Sequence, residues 1–222
     1  MHLIKKYLMA ITGLFLSFFL IVHLSANFLL LLPHEIAPNL YNSYSNALRT
    51  NPVIEVVSIF LYLAIILHTV IAINLTLRNK RKTETPYHQN KILETSSWPS
   101  QNMGLLGLMI LIFIIVHMAN FWAKVKLGIE GPMPTDINGH SDIYMLVVTS
   151  LKDPILVTFY AVMSIPLAMH LSHGVSSAFR SLGVYHKRYM RYIEILSKIY
   201  SVVMGLGFGL IPLYIFFFSK VS

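Results

Sequence analysis

The sequence predicts an all-α integral membrane protein: a bundle of five transmembrane helices, N-terminus cytoplasmic and C-terminus outside. Three observations predict it. First, 55% of the residues are hydrophobic and only 12% charged, with a mean hydropathy of +0.65, too apolar to give a soluble domain a polar surface. Second, five long apolar runs, at about 8–32, 53–77, 103–123, 154–178 and 195–218, each approach or exceed the roughly 20 residues that a helix needs to cross about 30 Å of hydrocarbon. Third, with the N-terminus inside, twelve of the 17 Lys and Arg residues fall on cytoplasmic pieces and five outside, the positive-inside bias of a membrane protein. The net charge of +8 is therefore mostly a topology signal and does not point to nucleic acid. Short connections leave the whole chain, 1–222, as a single transmembrane domain in the lipid bilayer.

The first run follows the basic start MHLIKKY. It is too long for the apolar core of a signal peptide and no small-x-small cleavage site follows, so it reads as a retained anchor. It carries the phrase FLIVHLSAN, Phe19 to Asn27. The second run opens after Asn51-Pro52, a capping side chain before a proline at the first helical position, and places Glu55 near its start and His68 in its interior. The connection 78–101, which includes His88 and Lys91, is polar and basic, as expected of a cytoplasmic loop.

The third run repeats the earlier phrase as FIIVHMAN, Phe113 to Asn120. Gly107 precedes His117 by ten residues, as Gly13 precedes His23. Ten residues is close to three helical turns, so each glycine is expected near the face of its own histidine, where a planar group or a second helix can approach. Small-residue helix packing explains these glycines equally well. The segment 124–152, rich in Gly and Pro, reads as an outer-face cap with a short amphipathic stretch near IYMLVV. Asp153-Pro154 opens the fourth run, which contains HLSHG, and the fifth run has no histidine.

There is no cysteine, which excludes disulfides, iron–sulfur ligation and covalently tethered haem. Of the 10 histidines, His23, His68, His117, His170 and His173 lie within four of the runs. A polar side chain inside a membrane is costly, and four helices each bearing one point to a shared purpose. From the topology, His23 and His117 lie about 12 Å from the outer helix ends, and His68 and His170 about as far from the inner ends. Two imidazoles at one depth are what a bis-histidine b-type haem requires, and two such pairs form an electron path through the bilayer. His170 lies at the depth that mirrors His68, with Gly174 leaving space beside the ring; His173 is the runner-up, with a propionate or a neighbouring helix as its partner. Arg180 and Arg78, at the inner boundary, are positioned to meet haem propionates or to serve as positive-inside anchors.

TGLFLSFFLIVHLSAN, NPVIEVVSIFLYLAIILH and above all HLSHGVSSAFRSLG followed by HKRY resemble the di-haem cytochrome b membrane subunit of succinate dehydrogenases and fumarate reductases, over essentially the whole chain. The resemblance implies an anchor of the inner (cytoplasmic) membrane that docks a flavoprotein and an iron–sulfur subunit on the cytoplasmic side. It implies two haem b groups, with His23 and His117 as iron ligands of the outer haem and His68 and His170 of the inner one. Electrons would pass between the iron–sulfur partner and a quinone, usually menaquinone, while dicarboxylate chemistry stays on the flavoprotein. Two electrons moved through the membrane would exchange about 4.6 kcal/mol per 100 mV. Some relatives carry an acid before the second helix for quinone proton transfer. NLYNSYSNALRTN has none, which leaves Glu55 as the nearest catalytic substitute, with Glu35, His34 and Asp142 behind it. Glu55 is equally explained as a carboxylate favoured by a helix N-terminus. The direction of the reaction and the pairing of two complexes into a dimer stay open. The alternatives are a haem b anchor of a formate dehydrogenase or hydrogenase, and, from another class, a transporter that relays protons through its histidines.

Overall fold

The computed structural model describes residues 2–82, 97–184 and 186–219; His88 and Lys91 of the basic connection, and Lys220, lie outside them. Helix dominates the described residues, and five helices are long and apolar enough to cross a membrane: Leu3–Leu31, Pro52–Arg78, Met103–Leu127, Pro154–Ser181 and Lys187–Phe218. The chain is a multi-pass membrane protein. Apolar side chains such as Val53, Phe60, Ile66 and Ile73 stand exposed along the second span, where lipid rather than water is the fitting solvent.

Helix α1 runs His2–Asn27 and tightens into a 3-10 turn, Phe28–Leu31. Helix α2, Ala37–Thr50, lies where the sequence suggested only a connection, and buries Ala37, Tyr41 and Asn42 on one stripe. Helix α3 is Pro52–Lys82; the Asn51 side chain accepts the Val53 N–H at 2.9 Å and so caps it, as the Asn-Pro pair predicts. A single turn, α4, Trp98–Gln101, precedes α5, Met103–His117, which continues as a π-helical segment, Met118–Leu127. That segment ends at Gly128, whose φ of 62° suits glycine as a helix terminator. Helix α6, Ile143–Ser150, forms at the short stretch expected near IYMLVV but is apolar along most of its length rather than amphipathic; Asp142 caps it, accepting the Met145 N–H at 3.0 Å. Helices α7, Pro154–Ser181, and α8, Lys187–Phe218, complete the fold. Helix α8 starts at Lys187 rather than at 195, because an apolar run marks only the hydrocarbon-matched part of a helix.

The chain divides into two compact units. One comprises residues 1–19, 60–111 and 166–203; the other comprises 20–59, 112–165 and 204–222. Each spanning helix contributes one stretch to each unit. In the first unit the Tyr200 hydroxyl donates to the Ser17 carbonyl at 2.7 Å, and a Cβ on Gly104 would lie 2.7 Å from Thr76 Cγ2, so α5 and α3 touch closely there. In the second unit Leu24 of α1 and Ser164 of α7 lie so close to Gly207 and Gly209 of α8 that a Cβ at either glycine would sit 2.7 Å from them and force them to shift, the small-residue mode of membrane helix packing. Buried hydroxyls on these helices, Ser164, Ser176, Ser197 and Ser201, each donate to a carbonyl one turn back, so none is stranded in hydrocarbon.

Candidate functional site

In the first unit, α3 and α7 bring His68 and His170 together edge to face, their ring centroids 6.5 Å apart and their planes at 69°. Three glycines surround the pair. A Cβ on Gly13 would lie 3.3 Å from His68 Cε1, one on Gly107 3.9 Å from His170 Cε1, and one on Gly174 3.9 Å from His170 Cδ2. Gly174 thus leaves the space beside His170 that the sequence suggested. Gly13 and Gly107 depart from expectation: each borders this pair, not the histidine of its own helix. The reason is axial distance, since ten residues of helix separate two side chains by about 15 Å.

Thr12 Oγ1 lies 3.0 Å from His68 Nδ1, while His170 Nδ1 is buried with no hydrogen-bond partner. His173 is half-buried beside the Arg180 charge, and the Arg180 guanidinium pairs with Glu194 at 2.8 Å.

In the second unit, α1 and α5 bring together His23 and His117, with ring centroids 5.7 Å apart and planes at 87°. Aromatic rings enclose the pair. Phe208 of α8 stacks against His23 at 5.8 Å, Phe113 stacks against His117 at 5.7 Å, and Phe121 of the π-helical segment lies 5.4 Å from the same ring. The Tyr160 hydroxyl of α7 sits 3.3 Å from His117 Nδ1. The fifth span, which has no histidine, therefore still contributes a ring. Phe208 carried a legible signal in GLGFG, an aromatic residue between two small ones, whereas Thr12 was marked only by being a hydroxyl in an apolar run.

The remaining candidates do not join either pair. Glu55 is exposed in the first turn of α3, and Glu35 is exposed as well. His34 and Asp142 lie in the second unit around α2 and α6: the His34 ring is 6.4 Å from that of Tyr144, and Asp142 accepts from the Asn42 amide at 2.9 Å. Burial first, then the Asp142 carboxylate and Tyr214, pushes the Tyr144 hydroxyl pKa up. Asp142 also borders a cavity of about 280 Å³ lined by Met133, Met145, Thr149 and the Lys124–Glu130 ion pair, which closes at 2.7 Å.

Among the described residues no three His, Cys, Asp or Glu side chains form a group that could hold a metal alone. An ion between either histidine pair would need its other ligands from elsewhere, as haem iron takes them from the macrocycle. Two imidazoles bonded at roughly 2 Å to opposite sides of one metal hold their centroids about 6 Å apart, and 5.7 and 6.5 Å bracket that value. The glycine border of one pair and the aromatic enclosure of the other suit a planar apolar cofactor. The residues present fit bis-histidine haem. No family model, curated protein or solved structure matches the chain.

Proposed function

We propose that the chain is the membrane-anchor and electron-transfer subunit of a succinate dehydrogenase or fumarate reductase, holding two b haems. The observation that carries this reading is the gathering of four histidines from four spanning helices into two facing pairs at haem spacing, one pair in each compact unit. His68 and His170 hold one haem, and His23 and His117 the other. Gly13, Gly107 and Gly174 keep the backbone clear of the first, while Phe113, Phe121 and Phe208 keep water from the second. When bound, the haems supply one-electron redox chemistry between an iron–sulfur partner and a quinone.

The excess of Lys and Arg supports a cytoplasmic side for the N-terminus, Arg78 and Arg180, and in this reading the flavoprotein and iron–sulfur subunits dock there, at the inner membrane. A propionate at Arg180 would compete with Glu194 for the guanidinium. For quinone proton transfer Asp142, beside the cavity, is better supported than the exposed Glu55.

Haem extraction and a reduced-minus-oxidised spectrum of the purified protein test the reading, with two b haems per chain expected. A folded chain with no b-type signal overturns it and favours a histidine proton relay. Co-purifying soluble subunits that oxidise succinate or reduce fumarate distinguish this complex from a formate dehydrogenase or hydrogenase.

A further inference from the structure

We propose that Thr12 is a positioning residue that locks His68 into a single tautomer and rotation, so that its Nε2 alone is offered to the haem iron. The inference rests on the haem reading above and adds a residue that touches neither iron nor macrocycle.

Thr12 is 7% exposed and its hydroxyl oxygen has three close neighbours: the Leu8 carbonyl at 2.7 Å, the Met9 carbonyl at 3.2 Å and His68 Nδ1 at 3.0 Å. A hydroxyl carries one proton and two lone pairs, whereas a carbonyl can only accept. The proton therefore goes to a carbonyl, with Leu8 the nearer. The oxygen then has only a lone pair to offer His68, so Nδ1 must carry the hydrogen and donate to it. The opposite arrangement, with Thr12 donating to His68, would press an undonated oxygen lone pair against the Leu8 carbonyl at 2.7 Å and leave the proton on Nε2, where no metal could bind.

The next residue, Gly13, lets the ring come close enough for this: a Cβ there would lie 3.3 Å from His68 Cε1. His170 has no such device, since its Nδ1 is buried and unpartnered. The two ligands of one haem are thus unequal. An acceptor on the distal N–H makes an imidazole a stronger donor and stabilises the more highly charged ferric state, so Thr12 lowers the potential of this haem alone.

Redox titration and low-temperature electron paramagnetic resonance of the full-length protein test this with Thr12→Val, which removes the hydroxyl at similar volume, and Thr12→Ser, which keeps it. His23→Leu identifies the signals of the His68–His170 haem as those that persist. Thr12→Val should raise the potential of that haem by about 59 mV, a roughly tenfold fall in its ferric-to-ferrous ratio at a given ambient potential, and alter its resonance, while Thr12→Ser stays near wild type. Selective loss of that haem in Thr12→Val but not in Thr12→Ser also supports the role. An unshifted potential in Thr12→Val, equal shifts in both variants, or a shift confined to the other haem overturns it. A wild-type protein without haem overturns this inference together with the proposed function, whereas haem present and indifferent to Thr12 overturns this inference alone.

Discussion

At the scale of the residue, Gly13 and Gly107 make a controlled comparison. Both lie in spanning helices and both border the same histidine pair, but a methyl group meets very different surroundings at the two. At Gly13 it would sit 3.3 Å from His68 Cε1, so the ring must move by some tenths of an ångström; at Gly107 it would rest 3.9 Å from His170 Cε1, an ordinary contact. Gly13→Ala should weaken haem binding at this pair by roughly tenfold or more, and Gly107→Ala should leave it near wild type, as read from haem content during titration. Helix propensity favours alanine over glycine by about 1 kcal/mol in both variants, so a general stability effect would push them the same way. Equal haem loss in the two would count against the contact argument. The histidines themselves were legible in the sequence, because each interrupts an apolar run and polarity in hydrocarbon demands a reason. Of their supports Gly174 was legible too, beside His170, but the hydroxyls were not. Thr12 meets His68 across 56 residues and Tyr160 meets His117 across 43, and no local pattern encodes such meetings.

At the scale of the element, α2 shows how a polar helix escapes detection and α6 how an apolar one does not. Helix α2 has no apolar run, and its buried stripe is only Ala37, Tyr41 and Asn42. What holds it is specific: Asn42, 1% exposed, donates to Asp142 and accepts the Tyr144 N–H at 2.9 Å, binding α2 to the first turn of α6. Helix α6 was foreseen because IYMLVV is apolar enough to need a partner. Tyr41 sits under the Tyr144 ring at 6.3 Å, and burial raises its hydroxyl from 10.0 to about 12. An acid whose pKa is raised on folding stabilises the fold below its unfolded value and loses that contribution as pH climbs through the folded one. The docking of α2 should therefore hold to about pH 10 and weaken toward pH 12, by up to about 3 kcal/mol, with Tyr144 adding in the same direction. Proteolysis of α2 across that range checks it, and Tyr41→Phe should narrow the loss; a pH-independent cleavage rate would refute it. Lys152 acts comparably on α8, donating to the carbonyls of Ile215 at 2.9 Å, Phe216 at 2.8 Å and Ser219 at the end of that helix, where the Ile215 carbonyl also accepts the Ser219 N–H at 3.2 Å. Lys152→Met should speed amide exchange over the last turn of α8 by about five- to thirtyfold without affecting α1, because about 1–2 kcal/mol of charge-assisted bonding is lost there.

At the scale of the whole molecule, the five spans follow from hydrophobicity alone, since length and apolarity are summed over 20 or more residues and survive local noise. The two compact units do not, because each is assembled from three separated stretches of chain. That division makes the pairing of ligands testable by additivity. If His23 and His117 hold one haem and His68 and His170 the other, then loss of either member empties the same site. His23→Leu and His117→Leu should each leave one b haem per chain, and the double variant should lose no more than either single one. The cross-combination His23→Leu with His170→Leu should lose both haems, and each single variant should leave the other haem's spectrum and potential unchanged. Leucine keeps each site apolar and filled, so helix content by circular dichroism should stay constant through the set and separate ligand loss from misfolding. Interaction energy is expected within a pair and additivity between pairs. Folded single variants that lose both haems equally would show that the four histidines do not divide as the two facing pairs do.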